Sequence, residues 1–169
     1  MFNKTIKNIT YKDINELLFN TQEREGQKLD YKREFHKDGK EFAKDTTAFA
    51  NTDGGYIIYG VDEKHKIVVG VAENVGNGKI EDWITNVLNT NIDNSIEYEV
   101  NFINIDEENE QLFVIVLYIK ESNKKPIYVI TDNKSVCYIR KGTSVFSAKP
   151  NEIKEMYLPA SGLDKFSKQ

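Results

Sequence analysis

The chain has 169 residues, of which 39% are hydrophobic and 30% charged, and a formal net charge of -4. That length suffices for one domain with an apolar core that needs neither disulfides nor a structural metal, and the lone Cys137 excludes an internal disulfide. The acidic balance excludes a nucleic-acid binder that works by bulk electrostatics, so any polyanion has to meet a local patch. No apolar run opens the chain and no uncharged apolar stretch reaches the roughly 18 residues of a membrane span, so the expectation is a cytoplasmic protein without a signal peptide or membrane helix.

Thr10 is placed to cap a first helix, with Asp13 at the reciprocal position and Ile14, Leu17 and Leu18 on one face. A polar loop over residues 21–26 leads into a strand expected over 27–35, in which Leu29, Tyr31 and Phe35 lie mostly opposite Asp30, Lys32 and Glu34. Side chains alternate along a strand, so Asp30 and Lys32 must share a face. A helix over 40–51 turns Phe42, Thr46, Phe49 and Ala50 inward and stops at Asn51-Thr52-Asp53-Gly54-Gly55, a run rich in residues that tolerate positive φ. A buried strand over 56–61 follows, and a turn over 62–66 joins it to 67–71 as a hairpin, with Asp62 at the strand end.

Ile80, Trp83, Ile84, Val87 and Leu88 form one apolar stripe of a helix over 79–89. Strands over 96–105 and 111–119 flank the acidic run at 106–110, which reads as the solvated tip of an antiparallel pair. Strands over 127–130 and 136–139 come next, and Pro150 suits the first turn of a last helix carrying Ile153, Met156 and Tyr157. Residues 1–158 read as a single domain of α+β class with a mixed, mostly antiparallel sheet, and 159–169 as a loose tail.

The candidate chemistry lies in acids and cations of the runs 25–33 and 48–62, whose acidic groups could gather a metal ion beside cationic side chains: phosphodiester hydrolysis needs charge neutralisation and a positioned water, which Mg2+ or Mn2+ supplies when carboxylates hold it. Lys32, on the face of Asp30, is the candidate for a phosphate oxygen or for charge that builds in the transition state. The plain alternative is that the acids are surface carboxylates paired with Lys28, Arg33 and Lys64. From Lys120 to Lys149 seven cationic residues stand against two acidic ones, a local balance of +5. Lys124, Lys125, Lys134, Arg140 and Lys141 are therefore candidates to grip a nucleic-acid backbone, with Lys32, Arg33 and Lys37 extending the path. Cys137, His36 and His65 have no zinc-site spacing, so no zinc is expected.

Glu25, Leu29-Asp30-Tyr31-Lys32, the run from Ala48 to Gly55, Gly60-Val61-Asp62, Val69-Gly70-Val71, Lys125-Pro126-Ile127-Tyr128 and Tyr138-Ile139-Arg140-Lys141-Gly142 together resemble the Schlafen AlbA domain, over roughly residues 10 to 157. The resemblance implies a nucleic-acid-binding α+β domain. In some animal members three carboxylates cut transfer and ribosomal RNA, and these positions fall here on Glu25, Asp30 and Asp62, which the resemblance makes the candidate catalytic and metal-holding residues. Asp30 is one methylene shorter than the Glu more usual in the family. The resemblance thus points to a metal-dependent endoribonuclease acting on transfer RNA or other structured RNA, with a non-catalytic DNA- or RNA-binding regulatory module as the alternative. An ATP-binding domain is a further alternative, since some relatives carry that label. Animal Schlafens join two such lobes, so a homodimer is expected.

Overall fold

The computed structural model describes residues 1–20, 24–106 and 108–158, and the expected tail at 159–169 lies outside them. A 3-10 turn at Ile6–Asn8 precedes α1 (Tyr11–Phe19), which opens with the expected capping box: the Asp13 amide donates to Thr10 and the Thr10 amide donates to the Asp13 carboxylate. The main sheet has four strands, β1 (Leu29–Lys32), β2 (Gly55–Tyr59), β7 (Tyr98–Asp106) and β8 (Asn109–Ile119), in the order β1-β2-β8-β7. β1 runs parallel to β2, with α2 (Gly39–Ala50) as the crossover, and the other pairs are antiparallel.

Between β2 and β7 the chain makes two short ribbons, β3 (Val61–Asp62) with β4 (Ile67–Val68) and β5 (Asn74–Val75) with β6 (Gly78–Lys79), and then α3 (Ile80–Asn91). After β8, a separate antiparallel sheet is built from β9 (Tyr128–Ile130), β10 (Ser135–Lys141) and β11 (Ser144–Ser147), and α4 (Pro150–Met156) closes the described chain. The class is α+β with antiparallel pairing dominant, as expected.

Period-two alternation sends the two faces of the main sheet into different cores. Ile57 and Tyr59 of β2 and Ile115 and Leu117 of β8 pack against Phe42 and Phe49 of α2 and Ile80 and Ile84 of α3. On the opposite face Leu29, Tyr31, Ile58, Val114 and Val116 meet Ile14, Leu17 and Leu18 of α1. Trp83 is partly buried against Phe35 and Phe42, with ring centroids 5.4 and 5.2 Å apart. The second sheet is tied to the end of α2 through Asn51, 4% exposed: its amide donates to the carbonyls of Ile127 and Tyr138 at 2.9 Å each, and its oxygen accepts from the Ile127 amide at 2.8 Å. Each buried polar atom of this side chain is thereby satisfied.

Several expected elements are shorter than read. β1 ends at Lys32, because its partner reaches Gly60 at φ 90 directly after Tyr59 and turns away. The strand expected over 67–71 is regular only at Ile67–Val68, because Gly70, at φ 75, packs against Gly60. The β5–β6 ribbon and β11 lack the apolar alternation that marks a strand and went unread. α4 buries none of its residues fully, although Met156 places Sδ 3.9 Å from Cys137 Sγ.

Candidate functional site on the edge of strand β1

β1 is an edge strand whose even-numbered residues bond β2: the Lys28 and Lys32 carbonyls accept from Tyr56 and Gly60. Its odd-numbered backbone groups face outward, and two of them are taken. The Tyr31 amide donates to the Glu25 carboxyl at 2.8 Å, and the Leu29 carbonyl accepts from the Gly26 amide at 2.9 Å and from Arg140 at 3.4 Å. Glu25 and Arg140 thus close the free edge of the sheet.

Asp30 and Lys32 lie together on the face toward α2, as the strand period requires, with Lys32 Nζ 3.2 Å from the Asp30 carboxylate. The same ammonium lies 3.2 Å from Asp45 of α2. Asp45 also meets His36 Nε2 at 2.8 Å, and His36 Nδ1 meets the buried Tyr59 hydroxyl at 2.9 Å. A continuous polar chain therefore runs from Tyr59 in the core through His36, Asp45 and Lys32 to Asp30. At its far end Asp30 lies close enough to Glu25 for the two carboxyls to act on one another.

The electrostatics follow from this geometry. Burial pushes Glu25 up to about 7, opposed by the Tyr31 amide and reinforced by the charges of Asp30 and Glu63. Burial works to lower Lys32, but the carboxylates of Asp45 and Asp30 outweigh it and hold the ammonium above its ordinary value. Burial likewise works to raise Asp45, and its bond to His36 and the charge of Lys32 bring it below the usual carboxylate range. Arg140 is pulled down by burial against the opposing fields of Asp30, Asp45 and Glu25.

Two of the three expected carboxylates meet, Glu25 and Asp30. Asp62 has other partners: its carboxylate takes Arg33 Nη1 at 2.7 Å, His65 Nδ1 at 2.9 Å and the His65 amide at 3.0 Å, which draw it down to about 2. Glu63, the next residue, contributes to the field at Glu25. Among the described residues no group of three His, Cys, Asp or Glu side chains converges as a ready metal site. The residues that sequence reasoning missed are Asp45 and His36, whose only signal was a charged residue on the half-buried side of α2 and a lone histidine after β1.

The expected cationic path divides. Arg33 is 60% exposed and pinned by Asp62, and Lys37 is exposed. Arg140, expected on a gripping surface, is 2% exposed: its guanidinium donates twice to the Gly26 carbonyl and lies 4.3 Å from the Phe49 ring centroid. It is a structural cation, spent on carbonyls that the sheet edge would otherwise leave open. Lys125 pairs with Glu121 and Lys141 with Glu152, while Lys124 and Lys134 are exposed with no ion pair among the described residues. Glu121 is already counted in the surplus of +5, whereas Glu152 on Lys141 and Glu97 on Lys120 come from outside the stretch and cancel part of it.

The Gly54–Gly55 turn is closed rather than open to a ligand. The Gly54 amide donates to the Phe49 carbonyl at 2.8 Å, finishing α2, and a Cβ at Gly54 would stand 2.7 Å from the Ile119 carbonyl. At Gly55 a Cβ would collide with the Lys28 backbone. Among the described residues no helix is long and apolar enough to cross a membrane.

Comparison with known proteins agrees with this architecture. A crystal structure of the DIP2311 protein from Corynebacterium diphtheriae superposes with a TM-score of 0.54 at 19% identity, over 81% of this chain and 24% of that one, which shows a shared fold. An uncharacterized ATP-binding protein of Ureaplasma parvum is 32% identical over 127 residues, 69% of this chain and 36% of the relative, so the chain spans about a third of that protein. The Schlafen, AlbA_2 family profile matches residues 25–149, which contain β1, α2, both sheets and the whole Glu25-to-Tyr59 chain of polar contacts. The chain belongs to the Schlafen AlbA_2 family.

Proposed function

We propose that this domain binds nucleic acid across the edge of β1, with Glu25, Asp30 and Lys32 facing the phosphodiester and Arg33 and Lys37 gripping the backbone beside them. The observation that carries the reading is the contact of two carboxyls, one held up to about 7, next to an ammonium 3.2 Å away. Burial, with the nearby charges of Asp30 and Glu63 adding to it, holds the Glu25 carboxyl up, and groups perturbed in this way concentrate at functional sites. Lys124, Lys125, Lys134 and Lys141 offer a second and weaker stretch.

The test is fluorescence anisotropy with single-stranded RNA, single-stranded DNA and transfer RNA. Affinity should fall by about 0.7 to 0.9 log units per log unit of salt for each phosphate neutralised, and Arg33→Ala with Lys37→Ala should lower it for all sequences alike. No binding at low salt, or a flat salt response, overturns the proposal.

A finer reading, metal-dependent cleavage of structured RNA, draws on the same carboxyl contact. Mg2+ or Mn2+ held by Glu25 and Asp30 would supply a Lewis acid at the phosphate. Incubating transfer RNA with protein and Mn2+, with and without chelator, and repeating with Asp30→Ala, tests it. Absence of metal-dependent cutting would leave a non-catalytic regulatory module. ATP binding, suggested by the name of the Ureaplasma relative, finds no support at the Gly54–Gly55 turn, and an unchanged melting temperature in ATP is expected. A homodimer would set two β1 edges in one assembly, and a monomeric mass by light scattering at micromolar concentration would dismiss it.

A further inference from the structure

Directly beyond β1 the chain lines a cavity of about 290 Å³, whose apolar surface comes from Phe35, Val71, Ala72 and Val75. Polar groups stand among them: Glu34, His36 and Lys37 on the β1 side, and Asn74 on the other. We propose that this cavity takes an unpaired nucleobase of a strand whose phosphates lie along Arg33 and Lys37. The inference rests on the nucleic-acid reading and extends it from the backbone to the base.

The walls are fixed before any ligand arrives. Phe35 is held by rings on three sides, with centroids at 4.6 Å to Tyr59, 5.4 Å to Trp83 and 6.0 Å to Phe42. His36 stands perpendicular to Phe35 and is locked at both nitrogens by Tyr59 and Asp45. Opposite them Val71 exchanges both backbone hydrogen bonds with Phe113, at 2.8 and 2.9 Å, and Val75 lies in the β5–β6 ribbon. A rigid pocket avoids the ordering cost that a floppy one incurs on binding.

The occupant is chosen by the neighbourhood. A base presents an apolar face and a polar edge, which matches aromatic and aliphatic walls with Glu34 as acceptor, Lys37 as donor and Asn74 as both. Arg33 adjoins the cavity-lining Glu34 in sequence and is 60% exposed, though paired with Asp62, so a strand whose phosphate meets it passes beside the opening. Bases in a duplex are stacked and paired and cannot enter, whereas single-strand binders pair a cationic track with sequence-tolerant base contacts.

Ala72 is exposed, so Ala72→Trp fills the cavity from the solvent side with little demand on the core. Anisotropy would compare wild type and Ala72→Trp on a single-stranded oligonucleotide, the matching duplex, and an abasic strand of equal length, at two salt concentrations. The wild type should prefer the intact single strand to the abasic one by about tenfold, and Ala72→Trp should remove that preference while leaving the salt slope unchanged. Equal wild-type affinity for intact and abasic strands, or an Ala72→Trp protein that retains the preference, overturns the base pocket and leaves the backbone reading standing. Failure of all three ligands to bind overturns both.

Discussion

The Asp45 carboxylate lies 2.8 Å from His36 Nε2, and this contact fixes the position from which Asp45 faces Lys32. The ammonium on β1 is therefore braced from α2 as well as from its own strand. The site is rigid because three elements meet in one set of hydrogen bonds, and each member can be removed singly.

Asp45→Ala leaves a half-buried Lys32 with one counter-charge and His36 without an acceptor. A loss of about 3 kcal/mol is expected, read from urea midpoints at unchanged slope. Because the folded carboxyl titrates below its ordinary 3.8, the wild-type advantage is full above that value and fades as pH falls beneath it. A variant as stable as wild type at pH 7 would show that Lys32 does not need the brace.

Glu25 has the opposite sign. Its folded pKa of about 7 exceeds the ordinary 4.5, so between those values the folded state holds a proton that the unfolded state has released. Stability therefore falls as pH rises from 4.5 to 7 and is level above. Glu25→Gln keeps an acceptor for the Tyr31 amide and removes the titration. Its melting temperature should be flatter across that window and higher relative to wild type at pH 8.

Arg140→Ala removes the donor to the Gly26 and Leu29 carbonyls and the cation over Phe49. A destabilisation of about 3 kcal/mol is expected, since buried acceptors lose a charged donor. Lys124→Ala and Lys134→Ala should stay within about 0.5 kcal/mol of wild type, as exposed substitutions do. Denaturation curves of the three proteins side by side check the contrast, and an Arg140→Ala protein of native stability would contradict the edge-closing role.

Gly55→Ala should fail to fold. The residue sits at φ 149, and a Cβ there meets the Lys28 backbone where β1 joins β2. Loss of soluble expression, or of cooperative unfolding by circular dichroism, is the expected result, and a stable Gly55→Ala protein would refute the packing argument.

The helices were legible because each carries a strong local signal: the Thr10–Asp13 box for α1, the inward Phe42, Thr46 and Phe49 of α2, the single stripe of α3. Strands β7 and β8 were legible from alternation around an acidic tip, of which Glu107 lies outside the described residues. The small ribbons were not, since two-residue strands have too few positions to show a period. At the site, the pairing of Asp30 with Lys32 followed from strand geometry alone. For Asp62 the pairing with Arg33 is among the alternatives the sequence offers, but His65, three residues along in the same turn, is not, and it gives that carboxylate both an imidazole and an amide. Arg140 was misplaced for a related reason: a guanidinium in a basic run looks like surface until the carbonyls of Gly26 and Leu29 arrive from over a hundred residues earlier.

With the Tyr31 amide and the Leu29 carbonyl already engaged by Glu25, Gly26 and Arg140, the main sheet cannot recruit an extra strand beside β1. Two copies that associate by pairing strands have other borders to use, β7 in this sheet and β9 and β11 in the second, and none of these zips backbones together over Asp30 and Lys32.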